Sequence, residues 1–201
     1  MSMSEHRYFI LNKPANMVSQ FVSPDNVGLL KDLDYKFPEH THAIGRLDNH
    51  SEGLLLLTTN KKVTNLLFQG EEPHKRAYLV LVGHVVSQET LHLLQTGIPI
   101  RIKGNVDYVT SPCEVDIIER PEWLPKNPSE GRQVPHTWLK IVLTEGKYHQ
   151  IRKMVRTAGH HCKRLVRVSI EDLELGDLKA GEVREVEEHF FFDKLKIRNW
   201  K

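Results

Sequence analysis

Four consecutive leucines, Leu54–Leu57, stand between Gly53 and Thr58 in the stretch AIGRLDNHSEGLLLLTTN, residues 43–60. A surface strand alternates apolar and polar side chains, and a surface helix keeps a polar face; this run does neither. Residues 53–59 are therefore predicted to form a strand buried on both faces. The run is far short of a membrane span. Immediately before it, Arg46 and Asp48 lie two residues apart between Gly45 and Gly53. Aspartate is common in turns because its carboxylate bonds nearby backbone N–H groups, so Asp48 reads as a turn or capping residue. It also reads as a reactive carboxylate held at the edge of a rigid core. In an extended segment Arg46 and Asp48 share a side. Distant cations would keep the carboxylate ionised.

The rest of the chain supplies alternating strands and short helices. Residues 7–14 (RYFILNKP) read as a strand ending at Pro14, and residues 76–84 and 136–146 as strands with period-two alternation. Residues 163–170 read as a further strand, and EVREV near the C-terminus as another. Residues 28–37 (GLLKDLDYKF) space Leu29, Leu30 and Leu33 for a short amphipathic helix. Asn60 is a candidate cap for a helix carrying Val63, Leu66 and Leu67 on one face. Ser87 and Gly97 bracket a helix in the manner of an N-cap and a C-cap. Residues 148–159 form a helix with Ile151, Met154, Val155 and Ala158 on one face. Residues 106–119 are strand-like but contain Pro112, which suits an edge. Residues 120–135 read as a long surface loop. The fold class is α+β, with a mixed, largely antiparallel sheet flanked by short helices.

The 201 residues fit one or two small domains, and their net charge of +2 conceals an asymmetry. Between Thr144 and Arg167 lie Lys147, Arg152, Lys153, Arg156, Lys163, Arg164 and Arg167 against a single acid, Glu145. The remainder of the chain is net acidic. This points to a polyanionic partner for one face, or to a solvated basic helix. Cys113 and Cys162 imply no disulfide framework, which together with the lack of a secretory leader sets the expectation of a cytoplasmic protein. No Walker phosphate loop, GxGxxG or HExxH motif is present. His40 and His42, and the run His160–His161–Cys162, lack the companion residues of a zinc site, so no metal is expected.

Four ordered segments carry a resemblance. GRLDNHSEGLLLLTTN resembles the signature of pseudouridine synthases of the RsuA/RluB/E/F type. FILNKPANMVSQ is similar to that family's opening lysine–proline motif, RAYLV to its basic-x-Tyr strand, and LTEGKYHQIRKMVRTAGHHCKRLVRVSI to its closing motif with a basic helix. The likeness spans residues 7–186, and the proline-rich 121–141 stretch is similar to the branch that modifies large-subunit (23S) ribosomal RNA. The chain departs from the pattern at Asn16, where many relatives have glycine. It departs again at Tyr148 and His149, where this branch often has Arg-Asn-Arg.

The resemblance implies a pseudouridine synthase fold with an active-site cleft across the sheet. It implies one catalytic domain over residues 1–201, divisible into two subdomains, without the S4 RNA-binding domain of many relatives. It implies isomerisation of uridine to pseudouridine in RNA, with large-subunit rRNA as partner and no cofactor; apart from the resemblance, a monomer without a membrane segment is the default expectation. The alternatives are the same reaction on small-subunit rRNA or tRNA, or a catalytically silent RNA-binding assembly factor. By resemblance, Asp48 is the essential carboxylate, as nucleophile or base at the ribose. Tyr78 stacks on the uracil and assists proton transfer, and Arg152 pairs with Asp48. Ile151 packs against the base, and Arg46 fills the space of the flipped nucleotide or grips phosphate. Lys13, Lys153, Arg156, Arg164 and Arg167 are candidate RNA-backbone contacts. Gly45 and Gly53 would let the chain bend around Asp48 and let RNA approach closely.

Overall fold

The computed structural model describes residues 6–68, 73–127, 130, 135–198 and 200. In chain order the elements are β1 (Tyr8–Lys13), β2 (His42–Ile44), β3 (Glu52–Thr58), α1 (Val63–Phe68), β4 (Arg76–Gly83) and α2 (Gln88–Thr96). They continue with β5 (Pro99–Arg101), β6 (Asp107–Val109), β7 (Glu114–Ile118), β8 (His136–Leu143) and α3 (Gln150–Thr157). The last are β9 (Cys162–Ile170), β10 (Leu173–Glu174), β11 (Val183–Val186) and α4 (Glu188–Lys194). The chain divides into two compact units, Met1–Arg76 with Val166–Lys201, and Ala77–Leu165.

In the first unit β1 lies between β11 and β3, antiparallel to both. β3 pairs antiparallel with β2 near its end and parallel with β9 near its start, where Gly53 faces Arg167. Leu54–Leu57 have no solvent-accessible surface. Both faces of this sheet are covered. On one, Tyr8 packs on Phe191 and Phe192 of α4, with ring centroids 4.8 and 5.3 Å apart. On the other, Phe9 meets Tyr35 and Phe37 edge-on, each at 5.8 Å. Each buried leucine contributes about 2 kcal/mol of hydrophobic stabilisation, so this strand is a main anchor of the unit.

The segment predicted as a helix over residues 28–37 is instead a single 3-10 turn, Leu30–Asp32. Asp32 folds back to accept the Leu29 N–H at 2.8 Å, and Leu33 leaves the turn in an extended conformation. That extension delivers Tyr35 and Phe37 to Phe9. Tertiary packing of two aromatics outweighs the leucine spacing. Asn60 does brace the start of α1, accepting the Lys62 N–H on its side chain at 3.1 Å.

In the second unit the strands run in the order β9–β4–β8–β7, and β5 and β6 form a separate two-stranded sheet. Pro112 falls between β6 and β7, so the stretch read as one strand is two, and β7 occupies the edge of its sheet. Ser87 caps α2 by accepting the Thr90 N–H, and Gly97 ends the helix. The core joins Val80, Val82, Leu139 and Ile141 from the strands to Leu94 of α2 and to Ile151, Met154 and Val155 of α3. α3 lies against β5, and α2 against β7. The predicted apolar face of α3 is the one it buries.

Candidate active site

Asp48 lies in the loop joining β2 to β3. Ser19 clamps the residue before it: its hydroxyl donates to the Leu47 carbonyl at 3.0 Å and accepts the Leu47 N–H at 2.9 Å. The Asp48 carbonyl accepts the Ser51 N–H at 3.0 Å, so Asp48 does open a turn. Its side chain is half-buried, Leu47 is buried, and Arg46 is exposed. The backbone is thus fixed on both sides of Asp48, a residue that is itself only partly buried.

A second clamp comes from the end of β1. The Lys13 ammonium is fully buried and donates to the carbonyls of Pro14 at 2.7 Å, Met17 at 2.5 Å and Asn49 at 3.4 Å. It thereby ties the loop after β1 to the residue that follows Asp48. Burial pulls the Lys13 pKa down to about 8; the carboxylates of Glu52 and Asp48 oppose this shift, and Arg167 adds to it. Register explains the grouping. Gly53 lies opposite Lys13 on one side and Arg167 on the other, at the point where the loop enters β3.

Arg167 is only 3% exposed, and its Nε donates to the Leu54 carbonyl at 2.8 Å. Its Nη2 is buried without a hydrogen-bond acceptor among the described residues. The glycines framing Asp48 are filled by the protein rather than left open for RNA. A β-carbon on Gly53 would meet the Arg167 backbone, and one on Gly45 would meet the Phe68 ring. Both glycines have positive φ, +100° and +72°. The sequence expectation of bending around Asp48 therefore stands, while the close approach belongs to β9 and Phe68.

The second unit carries the remaining candidates. Tyr78 is half-buried on β4, packed against the core. Ile151 and Arg152 fall in the first turn of α3; Ile151 is 4% exposed within the core, and Arg152 is half-buried. Lys153 is half-buried and Arg156 exposed on the same helix. Arg164 is buried, with Nη1 donating to the Pro125 carbonyl at 2.7 Å and to Glu130 at 2.8 Å. Lys13, Arg164 and Arg167, predicted as RNA-backbone contacts, are thus turned inward onto carbonyls and a carboxylate. Residue type alone predicts a solvated cation; the acceptors of Arg164 and Arg167 come from segments remote in sequence, and those of Lys13 from the loop that follows it and from Asn49.

Sequence reasoning missed Glu145. It accepts the Ser111 N–H at 3.0 Å, the Ser111 hydroxyl at 3.2 Å, the Gln150 amide at 2.6 Å and the Tyr108 hydroxyl. Gln150 in turn accepts the Lys147 N–H at 2.8 Å. This carboxylate fixes the start of the helix that carries Ile151 and Arg152. Its isolation as the one acid in a basic stretch was the available signal. Among the described residues no group of three or more His, Cys, Asp or Glu side chains is placed to hold a metal ion, and no helix is long and apolar enough to cross a membrane.

The α+β frame with a mixed sheet matches a known class. The RNA pseudouridylate synthase family model matches residues 7–157. The chain belongs to that family, and it is a pseudouridine synthase, an isomerase. It is 32% identical over 189 residues to the ribosomal large subunit pseudouridine synthase E of Vibrio parahaemolyticus, covering 93% of this chain and 76% of that protein. It is 30% identical over 179 residues to the ribosomal small subunit pseudouridine synthase A of Yersinia pestis, covering 89% and 68%. The crystal structure of a pseudouridylate synthase superposes with a TM-score of 0.77 at 25% identity, covering 97% of this chain and 76% of the other. The pseudouridine synthase fold predicted from the motifs is the fold observed.

Proposed function

We propose that this pseudouridine synthase modifies a uridine of large-subunit ribosomal RNA, in the cytoplasm and as a monomer, with Asp48 as the essential catalytic carboxylate. One observation supports the assignment above others. Ser19 and Lys13 pin the backbone on either side of Asp48, a residue that is itself only partly buried. Preorganisation of this kind is what a carboxylate needs to stay within about 3 Å of reacting atoms.

The reaction balances without a co-substrate. The bond between uracil N1 and ribose C1′ breaks, the base turns, and C5 bonds to C1′. The C5 proton leaves and N1 takes one up. The base must first be flipped out of the folded RNA. On the motif resemblance we assign Tyr78 to stacking on the uracil and to proton transfer, and Arg152 to keeping the carboxylate charged. Arg46, exposed two residues before Asp48, takes the vacated space or the phosphate, for which a guanidinium is suited. Lys153 and Arg156 contact the RNA backbone, whereas Lys13, Arg164 and Arg167 act from inside by holding loops.

The large-subunit substrate is supported by the relative from Vibrio parahaemolyticus; the relative from Yersinia pestis favours a second reading, small-subunit rRNA. Mapping pseudouridines in ribosomal RNA and tRNA from cells with and without the protein separates them. Loss of one large-subunit pseudouridine is the expected result. Loss of a small-subunit or tRNA site, with the large subunit unchanged, overturns the substrate assignment.

A further inference from the structure

The turn leading into α3 holds an aromatic pair that the catalytic assignment leaves unused. Tyr148 is 68% exposed, the largest exposure of any aromatic side chain among the described residues. Its ring stacks on His149 with centroids 3.8 Å apart and planes 18° from parallel. Consecutive side chains of an extended segment point to opposite faces and do not stack. Here His149 has φ +55°, a left-handed conformation that costs a non-glycine residue energy. Strain of this kind persists only where its surroundings hold it, and it clusters at functional sites. Gln150, held by Glu145 and by the Lys147 N–H, fixes the position that follows.

One cation reaches the pair: the Lys153 ammonium lies over the Tyr148 ring, 5.2 Å from its centroid, while that of Lys147 lies over the Tyr108 ring at 4.7 Å. Arg156 is exposed one turn further along α3. The acid of this stretch, Glu145, is engaged by Tyr108, Ser111 and Gln150. An exposed ring with a long-stemmed ammonium over it is a combination that binds unpaired nucleobases: the flexible Lys153 side chain swings from the ring to an adjoining phosphate, and the base takes its place on the ring. An acidic peptide would use the cations and leave the ring idle.

We infer that Tyr148, backed by His149, is a stacking platform for an unpaired base of the substrate RNA, other than the uridine that is isomerised. This rests on the reading of the chain as an rRNA-modifying enzyme and deepens it by adding a second point of base recognition. Stacking on a flat ring tolerates any base, so the platform selects a single-stranded or bulged RNA shape rather than a letter.

The test uses the full-length enzyme, the rRNA transcript it modifies, and three variants at this exposed position. Tyr148→Ala is expected to weaken binding about tenfold, with the loss appearing in KM, while Tyr148→Phe stays within about twofold. Tyr148→Lys adds a charge and removes the ring; it is expected to bind more weakly than the wild type. The salt dependence of binding should keep its slope in Tyr148→Ala, since no phosphate contact is lost, and become shallower by about one in Arg156→Ala. Tyr148→Ala binding like wild type overturns the platform. So does Tyr148→Lys binding as tightly as wild type, which would mark the patch as electrostatic only, open to an acidic protein partner as readily as to RNA. Wild-type activity on small-subunit transcripts alone would overturn the large-subunit assignment, while the same variant ratios on that RNA still decide the platform.

Discussion

The backbone of Arg167 stands against Gly53 so closely that a β-carbon there would sit 2.2 Å from the Arg167 carbonyl oxygen. The neighbour is strand backbone and cannot swing away, and φ at Gly53 is +100°, where L side chains are strained. Gly53→Ala is therefore expected to destabilise the fold by more than about 3 kcal/mol. Gly45→Ala meets only the tip of the Phe68 ring at 2.8 Å, and that partly exposed side chain can move. Its cost is expected to be about 1–2 kcal/mol, mostly from the left-handed backbone. Urea unfolding of both variants checks the order; equal losses would mean that β9 yields, and the loop before β3 is not rigidly backed.

Asp48→Asn changes charge but not shape, and it leaves in place the Asp48 backbone carbonyl that accepts the Ser51 N–H. Unfolding free energy is expected to stay within about 1 kcal/mol of wild type. Pseudouridine formation is expected to fall by at least about a thousandfold, because an amide is neither a nucleophile nor a base at neutral pH. RNA binding should persist. Single-turnover assays on the modified rRNA measure this directly, and retained isomerisation in the Asn variant removes Asp48 from the chemistry.

Much of this architecture is legible in the sequence where the signal is local. Alternation marks β4 and β8, the leucine run marks β3, and the Ile151, Met154 and Val155 spacing marks the buried face of α3. What is lost is nonlocal. Leu29, Leu30 and Leu33 have helical spacing, yet Phe9 draws Tyr35 and Phe37 into an extended path. The run Phe190–Phe192 hides α4, because three adjacent aromatics give no helical period; Phe191 and Phe192 are buried while Phe190 is exposed. The same limit governs the site. GRLD marks the loop, but that Arg167 points inward depends on the Leu54 carbonyl, 113 residues away. The tie from Lys13 to the Asp48 loop likewise runs to Asn49, 36 residues on. A cation's type shows its charge; only the fold shows which carbonyls surround it.

Lys13 makes stability depend on pH in a definite direction. Its pKa is about 8 in the fold against 10.5 in the unfolded chain. Below pH 8 both states hold the proton, and burying the charge costs its full amount. Between pH 8 and 10.5 the unfolded chain binds more protons than the folded one, so this group's contribution to stability rises with pH. The gain approaches about 3 kcal/mol at the upper end. Lys13→Met removes it, along with the donors to Pro14, Met17 and Asn49. Comparing urea unfolding of wild type and variant at pH 7.5 and pH 10 isolates the effect, since the other titrating groups are common to both. Parallel profiles would show that Lys13 does not titrate in this window. Released from Asn49, the loop is also expected to lose turnover at neutral pH.

Glu145 tests whether the start of α3 is set by one carboxylate. Burial alone would raise its pKa, but donors from Tyr108, Ser111 and Gln150 outweigh burial and hold it below the usual 4.5. The stability it contributes is therefore present above pH 4.5 and lost as pH falls through the folded value. Glu145→Gln keeps the size but offers one acceptor oxygen in place of two, and its NH₂ takes the place of the oxygen that accepts from the Tyr108 and Ser111 hydroxyls. At pH 7 the variant is expected to be less stable by about 1–3 kcal/mol, the cost of orphaned donors around a charged acceptor. As pH falls through the folded value the wild-type carboxyl is itself protonated, and the gap should close. Turnover of the variant at pH 7 should fall more than its RNA affinity, because the first turn of α3 carries Ile151 and Arg152. A stability gap that does not narrow as pH is lowered from 7 to the acid limit of the fold would show that the size of the side chain, rather than its charge, organises this turn.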